Sequence, residues 1–160
     1  MDLSPLLTPR GRAWAWFALT AGLALHVADE AANDFLAVYN PNAARIREVL
    51  PFLPVPVFTY TSWLAALATA VAVLLALTAC VVRAQRWTVA AGYLYGTIML
   101  LNGIAHASAS VFLGRLMPGV LSSPLVVAAA LVLLTAIAFR QDRAQRVFAS
   151  VTRRRALRGA

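Results

Sequence analysis

Both histidines of this chain, and three of its six acidic residues, lie in two short polar clusters inside otherwise apolar sequence. The first cluster is Leu25-His26-Val27-Ala28-Asp29-Glu30-Ala31-Ala32-Asn33-Asp34 and the second is Asn102-Gly103-Ile104-Ala105-His106. His26, Glu30 and Asp34 are spaced i, i+4, i+8 and so share one face of a helix, with Asp29 and Asn33 beside it. Asn102 and His106 share a face in the same way. Two histidines and a carboxylate form the ligand set of a catalytic zinc or a non-haem iron centre. The expected metal ligands are His26, Glu30 and His106, holding a divalent ion such as zinc, iron or manganese. Asp29 is expected as a bridging or outer carboxylate, Asn102 as a residue that orients a ligand, and Asn33 and Asp34 as supporting groups. A metal there would generate a nucleophile from water or act as a Lewis acid. Without a metal, Glu30 and His106, with Asp29, are the candidate catalytic acid and base, suited to isomerising or cyclising an isoprenoid or sterol.

The rest of the chain states where such a site must sit. Of 160 residues, 61% are hydrophobic and 12% charged, against about half and a quarter in ordinary soluble domains. A chain of this size cannot bury that excess, so lipid must cover it. Four apolar runs predict an all-α, four-helix integral membrane bundle with spans at about 13–35, 58–82, 87–113 and 119–139. Residues 1–139 form a single domain, and 140–160 a basic amphipathic surface helix. A cleaved signal peptide is the rival for the first run, disfavoured because three more spans follow it. Asn40-Pro41-Asn42 is expected to end the first helix, with a short helix near 43–50 and then a run of prolines that cannot be regular helix. That 36–57 segment is expected to lie on the membrane surface or to form a lid over the site.

All fourteen basic residues are arginine, and the net charge is +8. They flank apolar runs, which points to anionic lipid headgroups and away from nucleic acid. Eleven arginines fall at the N-terminus, in the 83–86 turn and in the tail, against three on the other side. Both termini are therefore expected in the cytoplasm, in a bacterial cytoplasmic membrane. The first and third spans then run in the same direction. Counted from their starts at about 1.5 Å per residue, the two polar clusters both lie about 20–28 Å above the cytoplasmic boundary. A small-residue stripe, Gly92, Gly96, Gly103 and Ala107, is expected to let the third span approach the first.

A charged side chain at mid-membrane costs about 2.5–3.5 kcal/mol even on lenient scales. Asp29 and Glu30 must therefore face the bundle interior and find a proton, a partner or a cation. Polar glue between helices is the bland alternative, but an interhelical hydrogen bond is worth only about 0.6 kcal/mol. Proton- or ion-coupled transport is a further alternative. It is weakened because the second and fourth spans carry few polar groups, and four helices alternate access only with difficulty unless a homodimer forms. The favoured partner is a hydrophobic small-molecule substrate. Cys80 stands alone, which excludes an intramolecular disulfide, and reads as packing. Ser108, Ser110, Ser122 and Ser123 have no general base in a triad-like arrangement beyond His106 nearby; Ser110, i+4 from His106, reads as a backbone-bonding hydroxyl, and Pro118-Gly119 as a turn.

His26-Val27-Ala28-Asp29-Glu30, with the later Asn102-x-x-x-His106 and Pro118-Gly119, resembles the bacterial membrane-protein family named for its HXXEE motif. The resemblance covers roughly residues 13–139. The first glutamate of the motif is replaced by Asp29, which keeps the charge and shortens the arm. The resemblance implies a small helical membrane fold with a shared polar site, and it implies no particular reaction. The spacing differs from that of the HExxH zinc-protease helix.

Overall fold

Thr8 lies in extended backbone, and its hydroxyl accepts the Gly11 N–H, while Pro9 takes a first-turn position where no N–H is needed. The helix this cap starts is α1 (Pro9–Ala32). The computed structural model describes residues 8–139, which are helical with connecting turns and contain no strand. After α1 come α2 (Phe35–Val49), α3 (Tyr60–Val82), α4 (Trp87–Leu113) and a shorter apolar helix, α5 (Ser123–Phe139). The basic segment expected as a surface helix from residue 140 onward lies outside the described residues.

The first helix starts and ends earlier than the expected 13–35. Its stop is Asn33-Asp34. The Asn33 N–H returns to the Asp29 carbonyl at 3.1 Å, and Asp34 takes a left-handed conformation at φ 53°. Asn and Asp are the side-chain-bearing residues that tolerate this region best. Residues 35–49, expected mainly as a connection, instead continue as one helix. Asn40-Pro41-Asn42 does not end the first helix; Pro41 lies inside α2. An interior proline costs about 3 kcal/mol. Contacts around it offset part of that. Asn40 donates to the Phe58 carbonyl at 2.8 Å and accepts the Phe58 N–H at 3.1 Å, and Tyr39 donates to the Pro56 carbonyl at 3.1 Å. These bonds hold α2 against the start of α3.

Helix α3 begins with a reciprocal Thr59–Ser62 capping box. It is joined to α4 by a short turn in which Ala84 has φ 55°. Gly114, at φ 59°, closes α4.

Helix α1 is the centre of the assembly. Trp16, Leu19, Thr20 and His26 are all at most 2% exposed. Trp16 donates its indole N–H to the Leu74 carbonyl of α3 at 2.8 Å, and its ring meets Tyr95 of α4 at 5.1 Å. The Tyr95 hydroxyl donates to Thr20 at 3.3 Å. Helix α5 buries Val126, Ala130, Leu133 and Ile137, an i, i+4, i+7, i+11 stripe.

The glycine stripe of α4 faces mainly α5; only Gly92 also nears α1, where a Cβ would stand 3.9 Å from Trp16. A Cβ on Gly92, Gly96 or Gly103 would come within 2.5–2.9 Å of Ile137, Leu134 or Val127. Close backbone approach thus seats the last helix, and α1 and α4 meet along a shorter seam of side chains.

Two helices, α3 and α4, are long and apolar enough to cross a membrane. The most apolar of them, α3, buries only Trp63 and Val81. Leu64, Leu67, Val71, Leu74 and Leu77 pack partly against the core, while Val73, Leu75 and Val82 are exposed.

Candidate metal centre

Three elements converge near the C-terminal ends of α1 and α4. Helix α1 supplies His26, Asp29 and Glu30, α4 supplies Asn102 and His106, and the turn leading into α5 supplies Pro118, Gly119 and Ser122. His26 and Glu30 are one helical turn apart, so both point the same way. Their exposure is 1% and 6%. The Glu30 Oε1 atom lies 3.1 Å from His106 Nε2 and 3.5 Å from His26 Nε2. The two imidazole rings meet edge to face with centroids 4.8 Å apart.

The outer hydrogen bonds fix which nitrogen of each ring carries the proton. His106 Nδ1 bonds the Pro118 carbonyl. A carbonyl only accepts, so Nδ1 carries the hydrogen, and in the neutral ring Nε2 presents its lone pair to Glu30. His26 Nδ1 lies 2.8 Å from the Ser122 hydroxyl. Ser122 has one proton, which it donates to Asp29 Oδ2 at 2.8 Å; the Ser122 backbone N–H donates to the same oxygen at 2.9 Å. Ser122 must then accept from His26 Nδ1–H, leaving the His26 Nε2 lone pair directed inward. The Asn102 amide donates to that lone pair at 2.9 Å.

Two imidazole lone pairs and a carboxylate oxygen therefore point at one small space. The Asn102 N–H already meets the His26 lone pair, so the uncompensated contact is the one between His106 Nε2 and Glu30 Oε1 at 3.1 Å, which a shared proton or a metal ion would relieve. The ligand atoms of His26, Glu30 and His106 all lie within 4.8 Å of one another, and the group could hold a metal ion. The donor chemistry fits a divalent transition metal. Two donors at about 2.0–2.1 Å from one ion stand roughly 2.9 Å apart in octahedral geometry and roughly 3.3 Å apart in tetrahedral geometry; the two Glu30–histidine separations, 3.1 and 3.5 Å, are close to these, and the two histidine nitrogens form the wider edge of a group that spans up to 4.8 Å. A backbone carbonyl behind one histidine, and a serine–carboxylate pair behind the other, are the outer partners that orient metal-binding imidazoles.

Gly119 explains how the turn comes so close. Its φ is +84°, and a Cβ there would lie 2.8 Å from His106 Nδ1 and 2.8 Å from His26 Cε1. No side chain fits between the turn and the two rings. On another side Phe35 stands 5.8 Å from His106 and stacks on Trp63 at 5.8 Å. Phe35, Tyr39, Phe58, Trp63, Ala66 and Leu67 line an apolar cavity of about 190 Å³.

His26, Glu30, His106 and Asn102 are thus brought together. Asp29 is directed to Ser122 and Asn33, with the Asn33 amide donating to Asp29 Oδ1 at 2.9 Å, so its hydrogen-bonded link to the rings runs through Ser122, while its charge acts on both rings directly. Asp34, expected on the His26–Glu30 face, lies beyond the end of α1 and is exposed, because the left-handed turn swings it off that face. Asn33 is likewise exposed, and supports Asp29 alone. Three contributors are absent from the sequence-based set: the Ser122 hydroxyl, the Pro118 carbonyl and Gly119. The Pro118-Gly119 pair was the available signal, since a left-handed glycine also permits close approach to a site. Ser110, also read as backbone-bonding, accepts the Met117 N–H at 3.0 Å and steadies the same turn.

No curated protein and no solved structure matches the chain. A family model described as a protein of unknown function with HXXEE motif matches residues 16–134, which spans every residue of the cluster, and the chain belongs to that family.

Proposed function

We propose that this chain is a four-span membrane protein, with both termini on the cytoplasmic side, that binds a divalent metal through His26, Glu30 and His106 and acts as an enzyme on an apolar small molecule. The observation that carries the reading is the convergence of two tautomer-fixed Nε2 atoms on one buried carboxylate oxygen. Polar glue does not require both outer nitrogens to be tied down so that the inner ones point at an acceptor. The spans would be α1, α3, α4 and α5. The 24 residues of α1 extend about 36 Å, and the 17 of α5 about 26 Å, against a hydrocarbon core of about 30 Å.

A zinc or iron ion is favoured by the His₂–carboxylate set, with manganese a third choice. Such an ion supplies Lewis acidity and lowers the pKa of a bound water. The protein's own contribution is orientation. Pro118 and Ser122 hold the two rings, Asp29 holds Ser122, and Asn102 covers the His26 lone pair that an ion would take over. Burial excludes bulk water, which strengthens each of these interactions. The aromatic cavity beside Phe35 suits the hydrocarbon part of a substrate. Hydrolysis, isomerisation or cyclisation are the reaction classes this arrangement serves.

The second reading, metal-free acid–base catalysis, is favoured by the 3.1 Å Glu30–His106 contact alone, across which one proton can be shared. Metal analysis of the purified full-length protein in detergent separates the two. The expected result is about one equivalent of zinc, iron or manganese per chain, lost in His106→Ala. Protein that carries no metal and takes up none on addition of these ions would overturn the metal reading in favour of the acid–base one. Reporter fusions at both ends test the topology, and a terminus on the outer face would refute the proposed orientation.

A further inference from the structure

A second cavity lies at the opposite end of the bundle from the histidine cluster. It has a volume of about 350 Å³ and is lined by Arg10, Ala13, Trp14 and Phe17 of α1 and by Thr78 and Val82 of α3. Its chemistry is divided. Five of its six lining residues offer carbon surface or, in Thr78, a hydroxyl already directed to the Leu74 carbonyl of the same helix. The sixth is an exposed guanidinium. Trp14 is 69%, Phe17 42% and Val82 49% exposed, so no other described part of the protein covers this groove. Trp14 and Phe17 hold each other edge to face at 5.9 Å, which gives the groove a stiff aromatic wall.

Among the described residues, the charge at this end has one sign. Arg83 follows Val82 directly, and both Arg83 and Arg86 are exposed. Among the described residues, all four acidic side chains lie at the other end of α1 (Asp29 and Glu30), in the turn after it (Asp34) or in α2 (Glu48). A ligand seated here would therefore meet a cation at the mouth and an apolar trough between two helices. That combination matches an anionic amphiphile, with a negatively charged group at the arginine and a hydrocarbon chain along the helices.

We propose that the groove between α1 and α3 is a binding site for an anionic phospholipid, with Arg10 contacting the headgroup phosphate and Trp14, Phe17 and Val82 contacting one acyl chain. The proposal rests on the membrane placement given above and is independent of the metal. It makes the lipid a defined ligand at one position, distinct from the general attraction of the arginines to a charged surface.

The test uses full-length protein in phosphatidylcholine vesicles containing a small fraction of phosphatidylglycerol with a photoreactive acyl chain. Adducts mapped by mass spectrometry are expected on Trp14, Phe17, Thr78 or Val82. Unlabelled phosphatidylglycerol should displace them, and phosphatidylcholine or glycerol phosphate should not. The exposed Arg10 can be changed to glutamine without disturbing the core; Arg10→Gln should weaken the preference for phosphatidylglycerol about fivefold, the worth of one arginine near an anionic surface. Arg154→Gln removes one charge from the basic tail and should leave the labelling unchanged. Labelling spread evenly over α3, or an equal loss in both variants, overturns the site and leaves only a diffuse basic surface. Displacement by glycerol phosphate would overturn the lipid assignment in favour of a phosphate site. Failure of the protein to float with the vesicles would refute the membrane placement itself, and the groove's assignment with it.

Discussion

Replacing Ser122 by alanine isolates the contribution of one hydroxyl to the metal centre. That hydroxyl lies 2.8 Å from His26 Nδ1 and 2.8 Å from Asp29 Oδ2. Without it, the main-chain contact with Gly119 is what still favours a proton on the turn side of His26, and the tautomer with hydrogen on Nε2 becomes more accessible. That tautomer offers the site no lone pair. Asp29 keeps the backbone N–H of residue 122 at 2.9 Å, so the carboxylate stays in place and the change falls mainly on His26. Outer partners of metal-binding histidines are worth about 10–100-fold in metal affinity, or about 1.4–2.7 kcal/mol. The folding cost of one lost hydrogen bond is about 1 kcal/mol, so the protein should remain folded. The assay is a zinc titration of metal-stripped protein against a chromophoric chelator. Ser123→Ala is the matched control: its hydroxyl donates to the Gly119 carbonyl at 2.7 Å and has no bond to either ring. Equal zinc affinity in the two variants would refute the tautomer argument.

Gly119→Ala should be more damaging than its single methyl suggests. A left-handed alanine costs roughly 1–2 kcal/mol, and forcing a Cβ to 2.8 Å from both rings adds an overpacking penalty of about 1–3 kcal/mol. Thermal unfolding in detergent should show a lowered midpoint together with loss of metal, and an unchanged midpoint would contradict the close approach. Glu30→Gln preserves shape and removes the charge that balances an ion. It should abolish metal binding while leaving helix content and the melting profile near those of the parent protein. If it retains metal and merely unfolds earlier, Glu30 serves as helix-to-helix glue.

How far the sequence carried is clearest residue by residue. The i, i+4 spacing of His26 and Glu30 placed both on one helix face, and counting along two parallel runs placed His106 at the same depth; both inferences need only the helical rise and period. The break at Asn33-Asp34 was not legible, because both residues are also tolerated in a helix and only the left-handed Asp34 reveals the stop. The same turn carried Asp34 away from the face its spacing assigned. Pro41 argued for a helix end and lies within a helix, where tertiary bonds from Asn40 and Tyr39 offset part of the local cost. The α4 glycines announced close packing without naming the partner, because periodicity defines a face and says nothing of which neighbour fills it. Ser122 and the Pro118 carbonyl escaped for a related reason: a hydroxyl or a main-chain oxygen acquires a role only from what the fold sets against it.

The turn at 118–122 belongs to the stretch that leads into the final described helix, yet it sets the proton position on a histidine near the beginning of the chain. A nascent polypeptide would carry His26 and Glu30 well before His106 and the clasp that aligns them have emerged. If the cluster binds an ion as proposed, its competence to do so would be acquired only once α5 docks on the glycines of α4, and metal occupancy would register that the five described helices have come together.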